Sequence, residues 1–222
     1  MIRSDHTVNL FVARHAEAQK NIEKRHGGGN QTLTALGIEQ ARDIGYQLLS
    51  SGLVVVGNVR VVHQPEERSR NTAVLVNQIV KGELIEEEPD FQGIGLGTRV
   101  GMSEDELAIV HPDLSKALNE WVAGKGFNIP SAEGSEPMEE FAERITRGLH
   151  SQVASTDLGE ALAIVGTTSS LTMINHILSE DGEFCRDRYL YYGAPLGSVA
   201  CWEIFQNKPV RLTGMDKEKR YE

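Results

Sequence analysis

The residues of this chain that can do chemistry cluster behind its apolar runs. Ala13-Arg14-His15-Ala16-Glu17 follows the first run, with Asn21 shortly beyond, and His63-Gln64-Pro65-Glu66-Glu67-Arg68 follows a second. An arginine presents a fixed fork of donors that suits phosphate oxygens, and an imidazole beside it can attack phosphorus or hydrogen-bond to a phosphate. Arg68 falls near the start of a helix, whose free amides already favour anions. Either segment alone is as well explained by a surface ion pair. Taken together, with the arginines on adjacent strand ends, they favour an anion site.

Positioning these residues requires strands that end at one edge of a sheet. Residues 8–13 read as a buried strand, residues 58–63 as a second and residues 161–165 as another. Between them the apolar period changes from continuous to helical: Ala41, Ile44 and Leu48 recur after Thr34, and a helix opened by Pro65 and the acidic Glu66-Glu67 runs to about Val80. Met138, Phe141, Ile145 and Leu149 share the face of a long helix beginning at Glu136, and a further helix is expected near 171–178. The last strand is expected at 197–205, with a polar, loose tail after Lys208. This alternation predicts an α/β fold, a three-layer α/β/α sandwich with a mostly parallel central sheet. A single domain is expected over 1–222, with a helical insertion at about 88–132 carrying short helices near 104–110 and 114–122.

Length and charge narrow the partners. A chain of 222 residues is within reach of one core. A net charge of -10 argues against nucleic acid and anionic membranes as partners, so an anionic ligand has to be held by a local cationic pocket. No apolar stretch approaches the roughly 20 residues of a membrane span, and the first residues lack a secretory pattern, so a cytoplasmic location is expected. Cys185 and Cys201 lie outside any zinc or Cys-x-x-Cys spacing and read as reduced, structural cysteines. Neither a cofactor nor a metal is expected.

Several segments resemble the histidine phosphatase superfamily, the phosphoglycerate-mutase-like fold. They are Arg14-His15-Ala16-Glu17 with Asn21, Leu33-Thr34-x-x-Gly37-x-x-Gln40-Ala41, and Pro65-x-x-Arg68-Ser69-x-x-Thr72-Ala73. Gly101-x-Ser103-x-x-Glu106 and the helix from Glu136 to Arg144 fit the later layout, so the likeness covers most of the chain. It implies that His15 accepts a phosphoryl group while Arg14 and Arg68 hold its oxygens. A backbone carbonyl would fix the tautomer of His15. Glu17, Asn21, Arg25, His63 and Asp90 complete the residues expected to contact substrate.

Three positions depart from the family pattern. Ala16 stands for its usual glycine, Thr167 for a second histidine behind the late strand, and Gly93 for the acid that protonates the leaving group. Threonine is a neutral donor; losing one charged donor costs on the order of 100- to 1000-fold in rate, and losing a general acid roughly 100- to 10,000-fold. Glu88 or Asp90 are candidates to replace the acid, and His63 to replace the histidine; His176, inside an apolar helix, reads as a core residue. The expectation is a weak phosphomonoester hydrolase. Its alternative is a non-catalytic module that binds a phosphorylated ligand, and a mutase is less favoured. Small phosphorylated substrates or phosphate are the expected ligands, and a homodimer is compatible with the sequence.

Other conspicuous residues have plainer readings. Gly27-Gly28-Gly29 lacks the frame of a phosphate-binding P-loop and reads as a rim loop, bringing Arg25 and His26 near substrate. The run Glu86-Glu87-Glu88 reads as a solvated edge, and Arg186, Arg188, Tyr189, Tyr191 and Tyr192 as a packing corner. Trp121 and Phe127 suit a substrate lid or the core equally.

Overall fold

The computed structural model describes residues 7–84, 87–125, 129–180, 182–189, 194–205 and 208–213. Phe127, Tyr191, Tyr192 and Glu86, singled out above, lie outside these residues, as does the tail from 214 onward. Six strands form one sheet: β1 (Thr7–Arg14), β2 (Val59–His63), β3 (Glu83–Leu84), β4 (Ala161–Gly166), β5 (Val199–Phe205) and β6 (Lys208–Thr213), in the order β3-β2-β4-β1-β5-β6. The first four run parallel, and β5 and β6 join antiparallel. The fold is the expected α/β sandwich with a mostly parallel sheet.

Side chains of β1 alternate between two cores. Leu10 and Val12 pack with Phe141, Ile145 and Leu149 of α6 (Met138–Ser155) and with Leu171 and Ile174 of α7 (Thr168–Ser179). Phe11 and Ala13 face the other way, onto Ile44 and Leu48 of α2 (Ala35–Ser50) and Ala73, Val76 and Val80 of α3 (Glu67–Val80). A sheet covered on both faces needs apolar residues at every strand position, which is why β1 and β4 read as continuous runs. No described helix is long and apolar enough to cross a membrane.

Two expectations are corrected. The strands bearing Arg14 and His63 are not neighbours: β4 lies between them, pairing Arg14 with Gly166 on one side and His63 with Val165 on the other. The residues after β4 are thereby brought between the two arginine-bearing segments. The polar stretch after Lys208 is not loose throughout, because β6 pairs with β5 from Lys208 to Thr213. An edge strand needs backbone partners more than apolar side chains, so its polarity was a poor guide.

Beyond the strand ends, residues 89–125 carry two 3-10 turns and the helices α4 (Glu104–Val110) and α5 (Pro112–Val122). Ser103 caps α4 by accepting from the Glu106 amide while the Glu106 carboxylate accepts from the Ser103 amide. Pro112 suits the first turn of α5, where its missing N–H costs nothing.

Candidate functional site

A cavity of about 730 Å³ lies between the strand ends and the helices α4 and α5. Arg14, His15, Arg68 and Thr167 all line it. The loop after β1, which leads into the short helix α1 (Gln19–Ile22), is clamped from three sides. The amide of His15 donates to Gly166, that of Ala16 to the Thr72 hydroxyl and that of Glu17 to Gln40 Oε1. Thr34 donates its hydroxyl to Glu17 and accepts the Gly37 amide, capping α2. A Cβ on Gly37 would stand 2.0 Å from the Glu17 carbonyl oxygen, so only glycine lets α2 approach this closely. The Thr-x-x-Gly-x-x-Gln and Arg-x-x-x-Thr patterns thus hold the Arg14-His15 backbone in place.

His15 is 3% exposed. Its Nδ1 lies 2.8 Å from the Ala16 carbonyl, and a carbonyl only accepts, so the proton sits on Nδ1. The Nε2 lone pair then faces Arg68, whose Nε–H donates to it at 3.0 Å. Burial holds the imidazole well below its usual value of 6.5, and the charges of Arg68, Arg14 and Lys20 add to this, against the opposing Ala16 carbonyl. His15 is therefore neutral, with one unprotonated nitrogen. Arg68 also donates to Gln31 Oε1 at 2.8 Å, and Arg14 to the Ala194 carbonyl.

Behind β4, Thr167 caps α7, its backbone N–H donating to Gln64 Oε1 at 2.8 Å. The Ser170 hydroxyl donates to the same oxygen at 2.7 Å, and Gln64 Nε2 donates to Glu66. Thr167, Thr168 and Ser169 present the first turn of α7 to the cavity, and the N-terminus of a helix suits an anion. Gly93 lies against this turn: a Cβ there would stand 2.9 Å from Thr167 Oγ1 and 3.1 Å from Ser169 Oγ.

The remaining expected residues are dispersed. Asn21 and Arg25 line the cavity, but Asn21 Oδ1 accepts the Ala18 amide, and Arg25 donates to the Gly101 carbonyl at 2.7 Å and pairs with Glu23 and Glu106. Glu17 is spent on Thr34. His63 is buried with Nδ1 at 2.9 Å from the Gln64 carbonyl and is not among the lining residues. Asp90 pairs with Arg147 of α6 at 2.6 Å, and Glu88 accepts from Gln152 at 2.7 Å; both carboxylates are drawn to α6 rather than to the cavity. His176 is fully buried and its Nε2 accepts the Cys185 amide. Trp121 lines the cavity and stacks on Tyr189 with ring centroids 6.3 Å apart.

Sequence reading missed four contributors. Lys20 lines the cavity with its ammonium lowered to about 8, by burial first and then by Arg68 and Arg14. Arg99 is 4% exposed, lines the cavity and donates to the Pro130 carbonyl. Glu66 was read only as part of the acidic pair that opens a helix, and Gln64 was given no role. The Glu-x-x-Lys spacing of Glu17 and Lys20 after the strand was the one signal for the lysine; nothing local marked the others. Together the cavity can hold a phosphate dianion beside a neutral imidazole, with a wall of Leu107, Leu118, Trp121 and Ile129 facing the rest of a ligand.

Comparison with solved structures gives the same fold. Mycobacterial glucosyl-3-phosphoglycerate phosphatase, solved with VO3, has a TM-score of 0.76 at 17% identity, covering 95% of this chain and 100% of that one. Phosphoglycerate mutase from Bacillus anthracis has a TM-score of 0.73 at 18% identity, covering 98% and 96%. A putative alpha-ribazole-5'-P phosphatase from Escherichia coli K-12 has a TM-score of 0.70 at 19% identity, covering 94% and 97%. A search of curated proteins returned no significant match. The family model described as Histidine phosphatase superfamily (branch 1) matches residues 10–209.

Proposed function

Because the chain belongs to the histidine phosphatase superfamily, we propose that it hydrolyses small phosphomonoesters through a phosphohistidine on His15. The observation that carries this reading is the pinned tautomer: Nδ1–H held by the Ala16 carbonyl and an unprotonated Nε2 that accepts from Arg68 in a cationic cavity. An entering phosphate takes over the donors of Arg68 and releases the Nε2 lone pair. Nε2 then attacks phosphorus, the ester P–O bond breaks and the leaving oxygen takes the electron pair. Water attacks the phosphohistidine in turn, returning the P–N electron pair to Nε2 and freeing phosphate. Arg14, Arg68 and Lys20 offset the charge on the equatorial oxygens, with Thr167 and the first amides of α7 as neutral donors. The two similar phosphatases named above are consistent with this chemistry.

Thr167 supplies no charge where the family pattern has a histidine, so the reaction is proposed to be slow. The same feature favours the second reading, a module that binds a phosphorylated ligand without turning it over. Hydrolysis of nitrophenyl phosphate at mildly acid pH separates the two. The wild type is expected to turn over and to carry a phosphoryl label that His15→Ala lacks, with the variant at background. Equal background rates with inorganic phosphate still bound would establish the binding module instead.

A further inference from the structure

Phosphoryl transfer from a poor leaving group needs a proton for the departing oxygen, and the position where the family pattern has its acid is Gly93. Asp90 and Glu88 are committed to Arg147 and Gln152. Among the described residues, three carboxylates line the cavity: Glu104 and Asp105, exposed in the first turn of α4, and Glu66, partly buried between β2 and α3. Only Glu66 stands with the phosphate-holding groups, since its charge favours the protonated forms of both Arg68 and Lys20.

Gly93 shows where Glu66 reaches. A Cβ at that glycine would lie 3.7 Å from Glu66 Oε1, on the same spot that Thr167 and Ser169 approach. A side chain rooted at 93 would displace Thr167, so an acid from that backbone does not fit. The carboxylate arrives from the β2 end. Gln64 Nε2 donates to its Oε2, leaving Oε1 on the Gly93 side. Gln64 Oε1 simultaneously accepts from the Thr167 amide, so one buried side chain fixes the carboxylate relative to the first turn of α7.

We propose that Glu66 is the general acid and base of this site, in place of the acid missing at Gly93. The proposal rests on the phosphohistidine reading. In the first step the Glu66 carboxyl gives its proton to the ester oxygen as the P–O bond breaks and the P–N bond forms. In the second, the Glu66 carboxylate takes a proton from the attacking water as the P–N bond breaks, which restores the acid.

The test compares two esters in wild type, Glu66→Gln and Glu66→Asp. Nitrophenyl phosphate leaves as a stabilised phenolate, whereas an alkyl phosphate leaves as an alkoxide that requires the proton. Glu66→Gln is expected to lower kcat/KM for the alkyl ester roughly 100- to 10,000-fold and for the nitrophenyl ester less than about tenfold. Glu66→Asp should recover part of the alkyl rate. Equal losses on both esters, or no loss on either, would overturn the role of Glu66 while leaving the His15 chemistry standing. Absence of turnover and of the His15 label in the wild type would overturn both. The Glu66 side chain makes no capping hydrogen bond to α3, so substitution leaves that helix its backbone contacts.

Discussion

Arg144 on α6 and Arg68 on α3 are both drawn into the protein, yet their partners differ in kind. Arg144 donates to both oxygens of Glu136, at 2.7 and 2.8 Å, and to the carbonyls of Asp90, Gln92 and Gly93. Burial pushes the Glu136 carboxyl up, but the Arg144 hydrogen bond and the Gly95 amide outweigh it and hold it below the usual value. Arg68 donates instead to an imidazole and an amide oxygen, and among the described residues no carboxylate pairs with it. A structural cation has its charge cancelled at hydrogen-bond range. A ligand-binding cation is held by neutral dipoles, which fix its direction and leave its field for an anion. The contrast also has a connection: Arg144 grips the strip around Gly93, and that strip forms part of the cavity wall.

Removing each arginine in turn should separate the two roles. Arg68→Ala is expected to lower kcat/KM for nitrophenyl phosphate by about 100- to 1000-fold with little change in Tm. It also removes the second-largest cause of the depressed His15 value, so the ring's NMR titration midpoint should rise toward 6.5 from well below it. Arg144→Ala strands a carboxylate and three carbonyls and should cost about 2 to 3 kcal/mol in urea unfolding, below the cost at a fully buried pair because its side chain is 17% exposed. A larger stability loss from Arg68→Ala than from Arg144→Ala would break the distinction. The smallest effect concerns Lys20, whose depressed value keeps it charged below about 8 and neutral above. As pH rises through that value, kcat/KM should fall roughly fivefold, the worth of about 1 kcal/mol of attraction at a wet site. Lys20→Arg should move this limb to higher pH.

Which arginine plays which part could not be read from their neighbours. Arg68 follows Glu66-Glu67 and Arg144 follows Glu143, so both look ready for an ion pair along the chain. The fold separates them: Glu136, just before α6, meets Arg144 eight positions on, while Glu67 is exposed beside the buried Arg68. The same limit applied to the carboxylates. Asp90 and Glu88 were the obvious replacements near Gly93 in sequence, yet α6 packs alongside and binds both. Glu66, 27 positions before that glycine, is the carboxylate whose oxygen lies beside it in space. His63 does stand at its strand end, where its Nδ1 lies 2.9 Å from the Gln64 carbonyl, and it is not among the residues that line the cavity.

The sequence by itself determined the alternation of strands and helices, because apolar period is a local property, and it located the Arg14-His15 and Arg68 segments through spaced Thr, Gly and Gln residues whose hydrogen bonds clamp the first loop. Only the tertiary structure decided what stands between those segments. Strand order set β4 between β1 and β2, which brought Thr167 to the cavity, and Gln64 reached Thr167 across 103 positions of chain while also holding Glu66. Such contacts depend on how strands pair and helices rotate, and no local spacing encodes either.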